Sequence, residues 1–155
     1  MFHSMNSYRT LVAAVGLCLL AGCADTTPPP AQTTSVNGPQ LAGAWYQVFF
    51  DSSATDINSR GDMIIQTVAN VVKNNNNVRV TVIGKTDSVG SMSSNAVLSQ
   101  RRADRVRDSL IAHGVPANRI DTSWSGETKQ DVTTAGNVAD QRNRVVDITV
   151  VQQPS

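Results

Sequence analysis

Residues 81–110 read TVIGKTDSVGSMSSNAVLSQRRADRVRDSL. The stretch begins as a β-strand ending at Gly84, passes through a polar turn carrying Asp87 and a Gly/Ser loop, and becomes an amphipathic helix opening near Asn95. Leu98, Arg102, Val106 and Leu110 stand at successive i+4 positions and so share one helix face. A guanidinium in an apolar stripe is costly unless it is paired or hydrogen-bonded. Asp87, just beyond the preceding strand, is its candidate partner. Two readings stay open: the pair lines a cleft and holds a ligand bearing both an ammonium and a carboxylate, or it is an internal salt bridge that fixes the strand-to-helix turn.

The rest of the chain falls into order around this unit. Residues 45–50 form a first strand, apolar on both faces near its end, and residues 51–56 a polar turn in which Asp51 acts as a cap. A helix over 58–74 carries Met63, Ile64, Ile65, Val68, Val71 and Val72, with Asn58 or Ser59 as N-cap. The asparagine run 74–77, tolerant of left-handed backbone, ends it. Residues 78–84 alternate as a second strand. The second helix stops at His113, with Gly114 in the C′ position and Pro116 beyond. Residues 119–125 form a third strand, 126–141 a long polar loop, and 144–151 the last strand. The expected fold is an α/β (α+β) sandwich of order β-α-β-α-β-(loop)-β. Two helices pack on one face of a mixed four-stranded sheet, and a ligand site lies where the second strand ends and the second helix begins.

The string TDSVG, then Asn95, then LSQRRA at 98–103, resembles the OmpA-like peptidoglycan-binding domain, whose pattern is GHTD, a short loop and N-x-x-LS-x-x-RA. The likeness continues upstream to FFDSS at 49–53 and downstream through GVPANRI, SGE and NRVVDI, covering residues 46–151. It implies a Pal-type outer-membrane lipoprotein that binds peptidoglycan non-covalently through the diaminopimelate of the stem peptide. Asp87 and Arg102 are then the residues that read the ammonium and the carboxylate, by charge-assisted hydrogen bonds. Asn95 is either a helix N-cap or a ligand contact, and Arg144 corresponds to the first Arg of the family's N-R-R-V. Lys85 stands where the family usually has His, and Val145 where it usually has a second Arg.

Residues 1–22 read as a secretory leader, with Arg9 before an apolar run at 11–20 too short to span a bilayer. LAGC at 20–23 resembles a lipobox, which makes Cys23 the lipidated first residue of the mature chain. Several acyl chains on one Cys anchor stably, whereas one binds only marginally. Ala24 after the Cys, by resemblance to the sorting tendency of such lipoproteins, implies the outer membrane, with the domain on its periplasmic face. Cys18 leaves with the leader, so no disulfide is expected. Residues 23–44, rich in Thr, Pro and Gln, read as a lipidated Cys and an extended tether, 45–151 as the domain and 152–155 as a tail.

With 13 basic and 12 acidic residues interleaved, the chain lacks the one-signed face of a nucleic-acid binder. Arg101, Arg105 and Arg107 sit beside Asp104 and Asp108 as a solvated helix face. An enzyme is not expected, and neither is a cofactor or a metal. The mature chain keeps His113 alone, at a helix C-terminus, and has no thiol nucleophile or recognised catalytic motif. Two functions remain: a lipid-anchored clamp between outer membrane and cell wall, or a Pal-like docking subunit of an envelope complex in which the Asp–Arg pair is structural.

Overall fold

The computed structural model describes residues 43–153. The leader, Cys23 and the tether up to residue 42 lie outside the described residues. Strand β1 (Trp45–Phe49) leads into α1 (Ser59–Asn74), β2 (Val78–Lys85), α2 (Met92–Ala112), a 3-10 turn at Ala117–Arg119, β3 (Ile120–Gly126), a second 3-10 turn at Gln141–Asn143, and β4 (Val145–Gln152). The sheet order is β1-β4-β2-β3. β2 and β3 are parallel neighbours, and β4 runs antiparallel to both β1 and β2. The expected mixed four-stranded sheet with two helices is therefore the fold observed, and the closing strand is antiparallel and central.

The core follows from two periodicities. Along α1, Ile65, Val68, Ala69 and Val72 are buried at helical spacing, while on β2 and β4 Val80, Val82, Val146, Ile148 and Val150 point one way and are fully covered. Val106 and Leu110 of α2 join the same cluster, so both helices pack on one sheet face. Each of the Val, Ile and Leu side chains among these contributes about 1.5–3 kcal/mol on leaving water. Val and Ile are weak helix formers, so α1 depends on this packing and on its cap, where the Asn58 side chain accepts from the Gly61 N–H at 2.9 Å.

One boundary and one helix end differ in their chemistry from expectation. Helix α2 opens at Met92 rather than near Asn95, because Ser91 is in extended backbone and accepts the Ser94 N–H. Asn95 is thereby a residue of the first turns and not a cap. The asparagine run ends α1 without a left-handed residue: Asn75 is extended, at φ −132°, and its N–H bonds back to the Val72 carbonyl. The long polar loop is as expected and runs into the 3-10 turn Gln141–Asn143 immediately before β4. The end of α2 is as expected, with Gly114 at φ +91°.

Gly84 sets the distance between β2 and α2. A Cβ there would stand 2.0 Å from the Ser99 carbonyl oxygen, so only glycine permits this approach. The close contact brings the end of β2 and the start of α2 together, and Asp87 lies between them.

Candidate functional site

Past Lys85 the chain leaves the sheet, and Thr86, Asp87 and Ser88 are all buried. The end of β1 delivers Phe50 and the turn after it, α2 delivers Asn95 and Arg102, and the residue before β4 is Arg144. These segments enclose a cavity of about 300 Å³ lined by Asp87, Asn95, Leu98, Arg102 and Arg144, with Ser53 at its rim. All four residues singled out in the sequence thus converge on one cavity.

The Arg102 side chain is fully buried. Its Nε donates to the Ala54 carbonyl and its Nη2 to the Asp51 carbonyl, both at 2.8 Å, and its guanidinium carbon lies 5.1 Å from the centroid of the Phe50 ring. The Asp51 backbone, rather than a side-chain cap, is what this turn contributes. The turn's tight backbone, with Ser53 at φ +56°, presents both carbonyls to one planar fork, a geometry that arginine meets and lysine does not. Nη1 is buried and has no hydrogen-bond partner among the described residues. Burial draws the pKa of Arg102 down to about 10, resisted by the Asp87 carboxylate and assisted by the charge of Arg144. The group remains a cation at neutral pH.

Asp87 is not paired with Arg102, contrary to the expected partnership. Its Oδ2 accepts from Nη1 of Arg144 at 2.9 Å. Arg144 is held in turn by the Phe50 carbonyl, 3.3 Å from its Nε, and by the Gln141 side chain. Asn95 donates from Nδ2 to the Asp87 carbonyl at 3.3 Å and to Glu127 Oε2 at 2.5 Å. It ties the loop before α2 to the segment after β3.

Two residues not singled out for this region shape it. Glu127, the acid of the SGE motif, anchors Asn95. Ser88 hydrogen-bonds the long loop: its Oγ donates to the Ala135 carbonyl at 2.9 Å and accepts the Val138 N–H at 3.1 Å. Lys85 is directed to the other side of the sheet, where it lies between Asp131 and Asp147. Val145, beside Arg144, is fully buried. Arg101 and Arg105 are exposed as expected, and Arg107 meets Asp104 and Asp108 at 3.8 and 3.4 Å.

Chemically, Arg102, whose buried Nη1 is uncommitted, and Asp87, whose carboxylate is already engaged on one oxygen, both line the cavity. Among the described residues no group of three or more His, Cys, Asp or Glu side chains is placed to hold a metal ion.

Comparison with known proteins gives these residues a context. Residues 49–144 match the OmpA family. The chain is 39% identical over 103 residues to an Escherichia coli (strain K12) protein named "Probable lipoprotein YiaD", a match covering 66% of this chain and 47% of that one. It is 33% identical over 110 residues to the peptidoglycan-associated lipoprotein of Agrobacterium fabrum, covering 71% of this chain and 59% of that one. The matched region thus spans about half the length of these relatives. The crystal structure of the peptidoglycan-associated lipoprotein from Burkholderia pseudomallei superposes with a TM-score of 0.63 at 24% identity, over 67% of this chain and 88% of that one. That likeness concerns the fold.

Proposed function

The chain belongs to the OmpA family, and we propose that it binds peptidoglycan non-covalently through the diaminopimelate of the stem peptide and holds the outer membrane to the cell wall. The observation that carries this reading is the buried, unpartnered Nη1 of Arg102 in a cavity shared with Asp87. A buried donor without an acceptor is costly, and a ligand carboxylate supplies one with a charge-assisted bond. The distal ammonium of diaminopimelate then bonds to the Asp87 carboxylate, and Arg144 balances the charge of that carboxylate until the ligand arrives. The lipoprotein names carried by relatives in Escherichia coli and Agrobacterium fabrum support a lipid anchor, and outer-membrane proteins among the other relatives support its location, with Cys23 as the acylated residue and the periplasmic face as the site of the domain. In this reading the protein is a binding module and catalyses no reaction.

The direct Asp87–Arg144 ion pair also supports a second reading. If that pair is purely structural, the domain serves as a docking piece of an envelope complex. Titration with a diaminopimelate-containing stem peptide, followed by amide NMR, separates the two. Shifts clustered at Asp87, residues 88–95 and Arg102 are expected for wall binding. Absence of shifts at millimolar peptide, or full retention on purified peptidoglycan by the Asp87→Ala, Arg102→Ala double variant, would sink the wall-binding assignment.

A further inference from the structure

On the sheet face turned away from the helices, a second cavity of about 410 Å³ runs along β1. Alternation along the strand sends Val48 into the core and Trp45, Gln47 and Phe49 outward. Asp131, Val132 and Arg142 close its other side. Trp45 is 57% exposed and forms an open aromatic wall. Its Cα is about 13 Å from that of Phe49 along the strand, at roughly 3.3 Å per residue.

The polar group between the two rings is held in advance. Gln47 Nε2 donates to Asp131 Oδ2 at 2.7 Å and to Asp147 Oδ1 at 3.0 Å, which commits both amide hydrogens and leaves Oε1 as the acceptor. The two aspartates are fixed by Lys85, and Arg142 is paired with Asp140 at 2.6 Å. The single ammonium of Lys85 offsets one of the two aspartates and Arg142 offsets Asp140, so the groove carries one formal negative charge, spread over two carboxylates already engaged by Lys85 and Gln47, and an anion is disfavoured there. An aromatic face beside a fixed amide oxygen and a guanidinium suits a neutral, hydroxyl-rich ring: its C–H face stacks on the indole and its hydroxyl and acetamido groups hydrogen-bond at the edge.

The groove adjoins the Asp87 cavity. The 3-10 turn Gln141–Asn143 separates them, with Arg142 lining the groove and Arg144, two residues on, lining the cavity. Phe49 faces the groove while the Phe50 carbonyl accepts hydrogen bonds from Gln141 and Arg144.

We propose that this groove is a carbohydrate subsite that takes the β-1,4-linked chain of N-acetylated aminosugars from which stem peptides hang. The inference rests on the wall-binding reading for its biological ligand, since the peptide would occupy the Asp87 cavity and the glycan the groove. The test uses a soluble, peptide-free tetramer of β-1,4-linked N-acetylglucosamine added to the intact chain, with the indole N–H of Trp45 and the side-chain amide of Gln47 observed by NMR. Saturable shifts of both are expected, with the Gln47 amide shift lost in Trp45→Ala and the Trp45 indole shift lost in Gln47→Ala. A disaccharide-linked stem peptide is expected to bind about fivefold more tightly than the free peptide, an advantage lost in Trp45→Ala. No saturable shift at Trp45 with the tetramer, or shifts that persist in Trp45→Ala through Trp124 instead, would overturn the proposal. Because the tetramer carries no diaminopimelate, its result is independent of whether the Asp87 cavity binds peptide.

Discussion

Arg144 and not Arg102 is the ion partner of Asp87, through a 2.9 Å bond between residues 57 apart in the chain. Arg102 spends its Nε and Nη2 on the carbonyls of Ala54 and Asp51. The two arginines therefore have separable duties, one compensating a carboxylate and one ordering a turn while keeping a nitrogen uncommitted.

Replacing Arg144 with Gln removes the charge that faces Asp87. The pair is largely but not wholly covered, with side-chain exposures of 14% and 9%, so the loss is below that of a fully buried pair. Urea denaturation is expected to show about 1–3 kcal/mol of destabilisation, and Asp87→Asn in the Arg144→Gln background is expected to recover part of it.

Arg102→Lys keeps the charge but not the fork. Lysine cannot serve the Asp51 and Ala54 carbonyls with the same planar geometry, so at least one buried acceptor is orphaned, at about 1–3 kcal/mol. Arg102→Ala adds a void against Phe50, with a total loss of about 3–5 kcal/mol. Chemical denaturation of both variants checks the order, and equal stabilities for Lys and Ala would contradict the role given to the guanidinium plane.

Gly84→Ala places a methyl group 2.0 Å from the Ser99 carbonyl oxygen, which belongs to helix backbone. Relief requires α2 to move off β2, and the expected cost is about 3 kcal/mol or more. Circular dichroism melting should show a large drop in Tm, whereas Gly136→Ala, where nothing lies within 4 Å, should leave it nearly unchanged.

Burial alone would lower the Lys85 pKa, but hydrogen bonds and charges from Asp131 and Asp147 outweigh it and leave the value above 10.5. A base whose pKa rises on folding gives stability that is complete below the unfolded value and is lost as pH climbs through the folded one. The Lys85 contribution is therefore intact at neutral pH and fades in the alkaline range above 10.5. Lys85→Met should cost about 1–3 kcal/mol at neutral pH, with the gap to the native chain narrowing as pH climbs through the alkaline range above the ordinary lysine value. Denaturation curves in both pH ranges check this.

Ser91→Ala removes the side chain that accepts the Ser94 N–H at 3.2 Å. The expected loss is about 1 kcal/mol, with hydrogen exchange accelerating first in residues 92–95. An equal effect from Ser93→Ala, which leaves that bond in place, would argue against Ser91 as the cap.

Much of this was legible in the chain. Period-2 and period-3.6 burial placed β2, α1 and the interior of α2, because Val80, Val82, Val68 and Leu110 each had one sheltered side to occupy. The start of α2 was less visible: its apolar rhythm begins only at Leu98, and the first turns rest on cap chemistry distributed among several serines. The cavity's membership was readable from motif spacing, but its wiring was not. Asp87 and Arg144 meet because β4 lies between β1 and β2, an insertion that no local pattern encodes. Asn95 found Glu127 for a related reason, since β3 pairs in parallel with β2 and carries Glu127 to the same end of the sheet.

The position of β4 has a consequence in time. A chain made from its N-terminus possesses both helices and three strands while the middle of its sheet is still missing, because the segment that separates β1 from β2 is the last to appear. Until residues 145–152 arrive, β1 has no neighbour to pair with, and Val80 and Val82 of β2 lack their companions Val146, Ile148 and Val150. Assembly is thus gated by β4 and held back by the long loop closures that non-local pairing requires. The domain stays open and threadable until residues 145–152 are made and becomes a rigid body only when β4 takes its place between β1 and β2.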